Sequence, residues 1–288
     1  MHSPNSLYER LEGSAIRCRV CARQCMIPEG SESFCRVRWN QSGQMRIPDG
    51  FPVSRTVLTT MYRLRLSDTQ TSDPVLAVGG WGCNLYCRHC INARWSYAGI
   101  PADTTYCQPE ALIARALDSK CTALAFSITE PIIHLENLVP ILASAHQYQL
   151  QTLLCTNGLF TRESLDWVLP LVDGFRIDLK GFSDKTYSGL TGFAGFTPLM
   201  DILEIITKAI KQLTLQFVPI PEINDSPLDI ENGIRQLVKK GITVPEITIL
   251  RFIPSGWMTD RPAADDRYLY KIACMFEQYG VSTLIREV

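Results

Sequence analysis

The cysteines between residues 83 and 90 have the spacing of a metal-binding loop. Cys83, Cys87 and Cys90 are separated by three and then by two residues. Three thiolates on one compact loop can hold three irons of a cubane cluster and leave the fourth iron without a protein ligand. An iron with an open position can chelate a substrate, whereas a fully ligated cluster can only pass electrons. The loop therefore predicts a [4Fe-4S] cluster that takes part in chemistry.

A zinc site is the competing interpretation of this loop, with His89 as its fourth ligand. The local sequence favours the cluster. A short apolar strand, Val75–Val78, and a glycine-containing turn, Gly79–Gly82, lead directly into Cys83. Glycines let the backbone turn tightly and approach a cluster closely.

A second group of cysteines lies near the start of the chain. Its spacing is C-x2-C-x3-C-x9-C, and its members are Cys18, Cys21, Cys25 and Cys35. Four thiolates complete the coordination of tetrahedral zinc or of a second iron–sulfur cluster. Such a site is saturated, so we expect it to be structural or to transfer electrons. Both metals stay open, with a preference for zinc because the spacing around Gly30 and Cys35 resembles a small ribbon.

Composition limits the classes of protein to consider. Hydrophobic residues make up 46% of the 288 residues, which is enough for a full core without disulfides. The 28 basic and 29 acidic side chains nearly cancel, which argues against general nucleic-acid binding. The first residues lack the apolar core of a signal peptide, and no apolar run is long enough to span a membrane. We expect a cytoplasmic protein whose cysteines stay reduced and bind metal.

The elements that must position these cysteines follow from hydrophobic periodicity. Before residue 70, the pattern predicts a short helix at Ser6–Leu11 and a strand at Val53–Met61. Beyond Pro74, strands and helices alternate. The predicted strands are Val75–Val78, Ala123–Ile128, Thr152–Cys155, Gly174–Leu179, Leu213–Ile220, Glu246–Phe252 and Ser282–Ile285. The predicted helices are Pro109–Asp118, Leu135–His146, Thr161–Leu171, Thr197–Lys211, Pro227–Lys240 and Asp265–Tyr279.

This alternation predicts an α/β fold with parallel strands joined by right-handed crossovers. Six or seven units are too few for a closed eight-fold barrel, so we expect a partial, TIM-like (β/α)6 barrel with its chemistry at the carboxyl ends of the strands. The polar segment Ser67–Asp73 is a linker candidate. We therefore expect a small Cys-rich region at residues 1–70 and the barrel at residues 71–288.

The triad and several strand ends together resemble the radical SAM superfamily. Within it, the chain resembles the pyruvate formate-lyase activating enzymes, and in particular the AmmeMemoRadiSam-type branch, which has a similar Cys-rich segment before its barrel. The matching segments are Ser127–Pro131, Thr156–Gly158, Asp178–Asp184, Pro221–Asp225 and Arg251–Pro254. The resemblance covers nearly the whole chain beyond Pro74. It implies that the triad cluster and S-adenosylmethionine (SAM) are the cofactors.

The resemblance also implies which residues contact SAM. Thr129 and Glu130 match the turn that receives the SAM ammonium, although Glu130 is also compatible with a simple helix N-terminal acid. Asn157 ends the third predicted strand and by resemblance faces SAM. Asp178 and Lys180 end the fourth strand on one face, where Lys180 can neutralise the methionine carboxylate. An internal ion pair is the alternative for these two residues.

The implied activity is reductive cleavage of SAM to a 5′-deoxyadenosyl radical, which then abstracts a hydrogen atom from a substrate. The chain is thereby predicted to be an oxidoreductase or activase that takes an electron from a donor such as flavodoxin or ferredoxin. A protein or peptide substrate, as for the glycyl radical activases, is the first expectation. A small-molecule biosynthetic enzyme is the second, because Cys155 stands where activating enzymes have Asp and Ile253 where they have His. A non-catalytic iron–sulfur or zinc scaffold is the third.

Overall fold

The computed structural model describes residues 7–66, 73–209, 211–242 and 246–287. The chain divides into two compact units. The first unit comprises Met1–Asn84 and Asn92–Phe175, and the second comprises Leu85–Ile91 and Arg176–Val288. The predicted boundary at residue 70 lies outside the described residues, so the division into residues 1–70 and 71–288 stays a prediction.

The first unit begins with short antiparallel strands. In chain order its strands are β1 (Tyr8–Arg10), β2 (Ile16–Cys18), β3 (Met26–Ile27), β4 (Trp39–Gln41), β5 (Gln44–Arg46), β6 (Phe51–Val53), β7 (Arg55–Thr60), β8 (Pro74–Gly79), β9 (Thr105–Cys107), β10 (Ala123–Ser127) and β11 (Gln151–Thr156). Its helices are α1 (Ala93–Ser96), α2 (Pro109–Asp118), α3 (Leu135–Gln147) and α4 (Arg162–Val168). Short 3₁₀ turns lie at Glu12–Ser14, Pro131–His134 and Leu169–Leu171.

The second unit continues the alternation of strands and helices. Its elements are β12 (Gly174–Leu179), α5 (Asp184–Thr191), α6 (Phe196–Lys208), β13 (Gln212–Phe217), α7 (Pro227–Lys239), β14 (Glu246–Leu250), α8 (Asp266–Glu277) and β15 (Ser282–Arg286). The first two residues of β12 belong to the first unit.

The central sheet is mostly parallel. In the first unit its order is β7-β8-β10-β11, and in the second unit it is β12-β13-β14-β15. The pairs β8/β10, β10/β11, β13/β14 and β14/β15 are parallel, whereas β7/β8 is antiparallel. Such strands are buried on both faces and read as continuous apolar runs, as all five buried residues of β10 illustrate. The α/β class is confirmed, and the strand order is compatible with the predicted partial barrel.

Side-chain caps determine where several helices begin. Thr161 accepts a hydrogen bond from the backbone N–H of Ser164 and starts α4. Ser183 and Asp265 do the same for α5 and α8. Each such cap contributes on the order of 1 kcal/mol by satisfying an otherwise unpaired N–H group.

Most predicted elements of the sheet and its helices are present, within a few residues at their ends. The differences are in the shorter elements. The helix predicted at Ser6–Leu11 is wrong where the chain is described, because Tyr8–Arg10 forms β1 and pairs with β2. Helix α5 was not predicted, since its eight residues have only three buried positions and a weak apolar period.

No single helix among the described residues is long and apolar enough to cross a membrane. Helices α5 and α6 together have the length and composition of a span, but the pair is bent by 109°.

Candidate functional site

The turn that delivers Cys83 is tightly packed in the first unit. After β8 ends at Gly79, a side chain on Gly80 would collide with the imidazole of His134. Gly82 has a φ of +81°, and its N–H donates to the carbonyl oxygen of Trp95 at 2.9 Å. A Cβ on Gly82 would collide with the carbonyl oxygen of Cys35. The glycines are therefore needed for close backbone approach immediately before Cys83.

A buried hydrogen-bond network joins the ends of β10 and β11 to the residue after Cys83. The carboxylate of Glu130 accepts from the Thr156 hydroxyl at 2.6 Å and from the Asn157 N–H at 2.9 Å. The Asn157 amide donates to the side-chain oxygen of Asn84 at 2.7 Å, and it lies 3.9 Å from the sulfur of Cys83. Glu130, Asn157 and Asn84 are all buried. The predicted residues Glu130 and Asn157 thus lie together near Cys83.

Glu130 also caps the turn that follows it. Its carboxylate accepts from the N–H of Ile132 at 3.2 Å, as a helix N-terminal acid does. This observation matches the simpler of the two interpretations of Glu130. Its predicted contact with the SAM ammonium stays a prediction.

Thr129 presents a buried polar atom without a protein partner. Its side-chain oxygen is inaccessible to solvent, and no hydrogen bond to it is formed by the residues that the structure describes. A buried hydroxyl in this state costs free energy, about 1–3 kcal/mol, unless a water or ligand satisfies it. The position, directly after β10, is where a parallel strand delivers residues to a site.

The second unit holds Cys87 and Cys90. The Cys90 N–H donates to the Cys87 carbonyl oxygen at 2.9 Å, which closes a tight turn. The segment at 255–257 packs on this turn: the Trp257 N–H donates to the carbonyl oxygen of Arg88 at 2.7 Å, and the Ser255 hydroxyl donates to that of His89 at 2.9 Å. Burial raises the pKa of Cys87 to about 12, although the charge of Lys180 opposes the shift.

His89, the alternative zinc ligand, is buried in the second unit. Burial lowers the pKa of its imidazole to about 3, and the charge of Lys180 lowers it further. The ring is therefore neutral at ordinary pH. Its Nδ1 atom has no hydrogen-bond partner among the described residues.

Asp178 and Lys180 lie at the end of β12, as predicted. Their closest charged atoms, Oδ2 and Nζ, are 3.6 Å apart. Asp178 has two further partners, since Arg176 Nε donates to its Oδ1 at 3.1 Å and Gln216 Nε2 at 3.0 Å. Burial lowers the pKa of Lys180, but attraction to Asp178 and then to the Cys87 sulfur outweighs that effect, so the pKa is raised overall.

The four N-terminal cysteines surround one small cavity in the first unit. The cavity has a volume of about 10 Å³, and its lining also includes Arg23, Arg38 and Asn84. Burial raises the pKa of Cys18 to about 11 and raises those of Cys21 and Cys35 as well. The Ser33 hydroxyl lies 3.1 Å from the sulfur of Cys35. The predicted group is thus brought together around one cavity. The raised pKa values of Cys18, Cys21 and Cys35 keep these three thiols protonated at neutral pH until a cation binds.

Adjustment is needed before any metal would be held. Among the described residues, no three His, Cys, Asp or Glu side chains already stand in positions that could coordinate an ion. Zinc–sulfur bonds are about 2.3 Å long, so the four sulfur atoms would have to close toward the cavity centre.

Two further residues belong to these sites. Arg38 is fully buried beside the cysteine cavity, donates to the Ile133 carbonyl oxygen at 3.1 Å and pairs with Glu136. Arginines around these cysteines can offset thiolate charge, and Arg38 is one that is buried where it can do so. Asn84 is the residue that sequence reasoning missed. It is buried and accepts a hydrogen bond from Asn157, and its only sequence signal, the position after a cysteine, is not specific.

No family model matches the chain. An uncharacterized protein of Methanocaldococcus jannaschii is 26% identical over 258 residues, which are 88% of this chain and 76% of that protein. A radical SAM methyltransferase from Sphaerobacter thermophilus is similar in structure, with a TM-score of 0.59, 17% identity, and coverage of 84% of this chain and 72% of that chain.

SuiB of Streptococcus suis has a similar structure in two bound states. The form bound to S-adenosylmethionine has a TM-score of 0.54 and 12% identity, covering 72% of this chain and 48% of SuiB. The form bound to the precursor peptide SuiA has a TM-score of 0.54 and 13% identity, covering 72% and 46%. At identities this low, similarity in structure shows the fold alone. The chain has the fold of radical SAM enzymes.

Proposed function

We propose that this chain is a radical SAM enzyme whose [4Fe-4S] cluster is held by Cys83, Cys87 and Cys90. The observation that carries the proposal is the three-thiol loop directly after β8 in a chain with this fold. When bound, the cluster and SAM would supply reductive carbon–sulfur cleavage and a 5′-deoxyadenosyl radical. The protein supplies ligands, orientation and exclusion of water.

The residues present fit these cofactors. Three thiols in eight consecutive residues match the donor set of a cluster with one open iron. The buried hydroxyl of Thr129 lacks a partner among the described residues, which suits a contact with a polar ligand. We assign Thr129, Glu130 and Asn157 to SAM binding, with Glu130 acting at least in part by holding Asn157 through its backbone N–H.

Charge at the end of β12 supports a contact between Lys180 and an anion. Arg176 and Lys180 bring two positive charges to the single carboxylate of Asp178. The ammonium of Lys180 is 3.6 Å from the Asp178 carboxylate, so it can also bind a further carboxylate such as that of methionine. We propose that Lys180 binds it and that Asp178 orients Lys180.

The donor set of the N-terminal cavity supports a saturated metal site at Cys18, Cys21, Cys25 and Cys35. Four thiolates complete the tetrahedral coordination of zinc, which is the metal that we propose here, and a second iron–sulfur cluster is the alternative. The buried guanidinium of Arg38, together with Arg23, offsets the charge of the thiolates.

We propose a protein or peptide as the substrate, modified by hydrogen abstraction as in glycyl radical activation. SuiB supports this choice, because the same fold there is bound to a precursor peptide. A small-molecule biosynthetic enzyme is the alternative. It is favoured by Cys155, which is buried among Leu153, Ala125 and Ala77 and offers no oxygen ligand where activating enzymes have Asp.

An electron donor such as flavodoxin or ferredoxin completes the proposal, because the cleavage consumes one electron. Tyr86 and Arg88 are exposed on the loop between the cysteines. Tyr86 lies 6.2 Å from the ring of Trp257, which is also exposed. These side chains are candidates for the contact with the donor.

The experiment is anaerobic reconstitution with iron and sulfide, followed by dithionite and SAM. We expect 5′-deoxyadenosine from the parent and none from a variant with Cys83, Cys87 and Cys90 changed to Ala. A variant with Cys121 and Cys274 changed to Ala, away from both groups, is the matched control and should retain activity. A parent that binds the cluster but forms no 5′-deoxyadenosine would favour the non-catalytic scaffold.

A further inference from the structure

Both neighbours of Cys83 in the chain contact the N-terminal cysteine segment. On one side, Gly82 lies so close to the carbonyl oxygen of Cys35 that no side chain would fit. On the other side, Arg23 Nε donates to the carbonyl oxygen of Asn84 at 2.6 Å. Cys83 is therefore bracketed by contacts from two residues of the N-terminal segment, and one of them is a predicted metal ligand.

Arg23 is itself held by the cysteine segment. It lies between Cys21 and Cys25 in the sequence and lines the same cavity as their thiols. Its guanidinium stacks on the ring of Phe34, 3.5 Å from the centroid. Because this stacking restricts the Arg23 side chain, a shift of the backbone at residues 21–25 also moves the guanidinium.

Asn84 transmits such a movement to Cys83 because its other side is fixed. Its side-chain oxygen accepts from Asn157 at 2.7 Å, and Asn157 is held in turn by Glu130. Asn84 is 1% exposed, so no water can replace either bond without rearrangement. The Arg23 bond to its carbonyl oxygen is charge-assisted and partly buried, which makes it stronger than a neutral hydrogen bond at the surface.

We infer that Arg23 and the Cys35 backbone are positioning residues for Cys83, so that metal binding by the four N-terminal cysteines controls the cluster loop. This inference rests on the proposed function. Closing four sulfurs around an ion fixes the backbone at residues 21–25 and at Cys35. Those backbones then determine where Gly82 and Asn84 lie. Because linkage is reciprocal, a correctly placed loop also favours metal binding at the N-terminal site.

The first experiment needs neither iron nor SAM. Zinc is added to the apo protein, and hydrogen exchange is followed in the peptide that contains residues 82–84. We expect zinc to slow exchange there in the parent at least about tenfold, because local opening becomes less frequent. Arg23→Gln should bind the same amount of zinc but lose most of this protection.

The matched control is Arg19→Gln. Arg19 also stands between two cysteines of the group, but its guanidinium pairs with Glu9 on β1 instead of with the cluster loop. This variant should behave as the parent. Arg23→Lys, which keeps the charge, should restore part of the protection. Equal protection in the parent and in Arg23→Gln would overturn the inference.

The second experiment uses the reconstituted protein. At equal iron content, Arg23→Gln should alter the electron paramagnetic resonance spectrum of the reduced cluster with SAM and lower 5′-deoxyadenosine formation roughly tenfold. Cys25→Ser, which leaves Arg23 in place but prevents full ligation, should shift the spectrum likewise. If both variants retained the parent spectrum, the inference would be wrong even if the parent cleaves SAM. If no form cleaves SAM, the proposed function fails, while the exchange data still test the positioning.

Discussion

At the scale of single residues, the charged groups at the end of β12 indicate whether Lys180 binds a ligand or only pairs with Asp178. Asp178 is satisfied by Arg176 and Gln216, so it does not depend on Lys180 for its hydrogen bonds. The Lys180–Asp178 distance of 3.6 Å is longer than a good hydrogen bond. Lys180 is thus the member of this group that is best placed to give its charge to a ligand.

Changing Lys180 to Met should weaken SAM binding. The substitution keeps most of the side-chain stem and removes only the charge. Loss of one charge-assisted contact costs about 1.5–3 kcal/mol, so apparent SAM affinity should fall roughly ten- to a hundredfold, with cluster content unchanged. Equilibrium binding of SAM to the reconstituted protein measures this.

Lys185→Met is the control, because Lys185 is exposed at the start of α5. It should bind SAM as the parent does. If Lys180→Met also did so, Lys180 would be only an ion-pair partner, and the carboxylate would be bound elsewhere.

His134 is a second informative residue, because it is buried in its neutral form. Its Nε2 lies 2.9 Å from the carbonyl oxygen of Trp81, and its ring packs 5.0 Å from that of Phe51. Burial lowers its pKa to about 3, a shift that the Trp81 bond opposes. Between that value and the unfolded pKa of about 6.5, only the unfolded state is protonated, so stability falls as pH falls.

His134→Gln should make stability less dependent on pH. Below about pH 6.5 this residue alone contributes a slope of roughly 1.4 kcal/mol per pH unit, which the variant loses. Urea unfolding of both proteins at pH 7 and pH 5.5 measures how the free energy of unfolding changes with pH. The contributions of all other titrating groups are common to both proteins and cancel in the difference. If the free energy of unfolding changed equally with pH in the parent and in the variant, His134 would not be a buried neutral histidine.

At the scale of elements, the start of α4 connects the helix to the N-terminal segment. The Thr161 hydroxyl accepts from the Ser164 N–H at 3.1 Å and donates to the carbonyl oxygen of Arg19 at 2.6 Å. One side chain therefore both begins a helix and holds the strand-to-turn backbone beside Cys18. At the strand ends, one side chain again makes two connections: Glu130 accepts hydrogen bonds from Thr156 and Asn157 and so joins the end of β10 to the end of β11.

Thr161→Val should destabilise the first unit by about 1–2 kcal/mol, because it keeps the shape and removes the hydroxyl. Thr161→Ser keeps the hydroxyl and should remain within a few tenths of a kcal/mol of the parent. Chemical unfolding curves provide the comparison. Valine and serine variants of equal stability would mean that the cap contributes nothing.

At the scale of the whole molecule, the chain carries two cysteine groups of different design. The N-terminal group lies wholly within the first unit and surrounds a small cavity. The triad has one member in the first unit and two in the second. Four ligands suit a saturated site, whereas three ligands leave one coordination position for chemistry.

Metal analysis should separate the two sites. A variant with Cys83, Cys87 and Cys90 changed to Ala should retain about one zinc per chain and lose about four irons. A variant with Cys18, Cys21, Cys25 and Cys35 changed to Ser should lose the zinc. Iron retained by the first variant at the N-terminal cysteines would identify a second cluster instead, and neither metal there would mean that the group is not a metal site.

The sequence by itself determined the α/β class and the triad interpretation. Strands buried on both faces, such as β8 and β10, are mostly apolar runs that local pattern reveals, and cysteine spacing is a covalent property that needs no fold. It also placed Glu130, Asn157, Asp178 and Lys180 at strand ends. The helix predicted at Ser6–Leu11 is wrong because β1 forms by pairing with β2, and this pairing is not visible in the hydrophobic pattern of the segment itself.

Only the tertiary structure decided what these residues touch. Glu130 is 26 residues from Thr156, and Arg23 is 61 residues from Asn84, so their hydrogen bonds follow from packing and leave no local pattern. The same holds for the cavity among the four cysteines and for the buried pair of Arg38 with Glu136. Sequence spacing can indicate which atoms bind a metal, but burial and hydrogen bonding, which determine how the loop at Cys83 is held, arise from residues far apart in the chain.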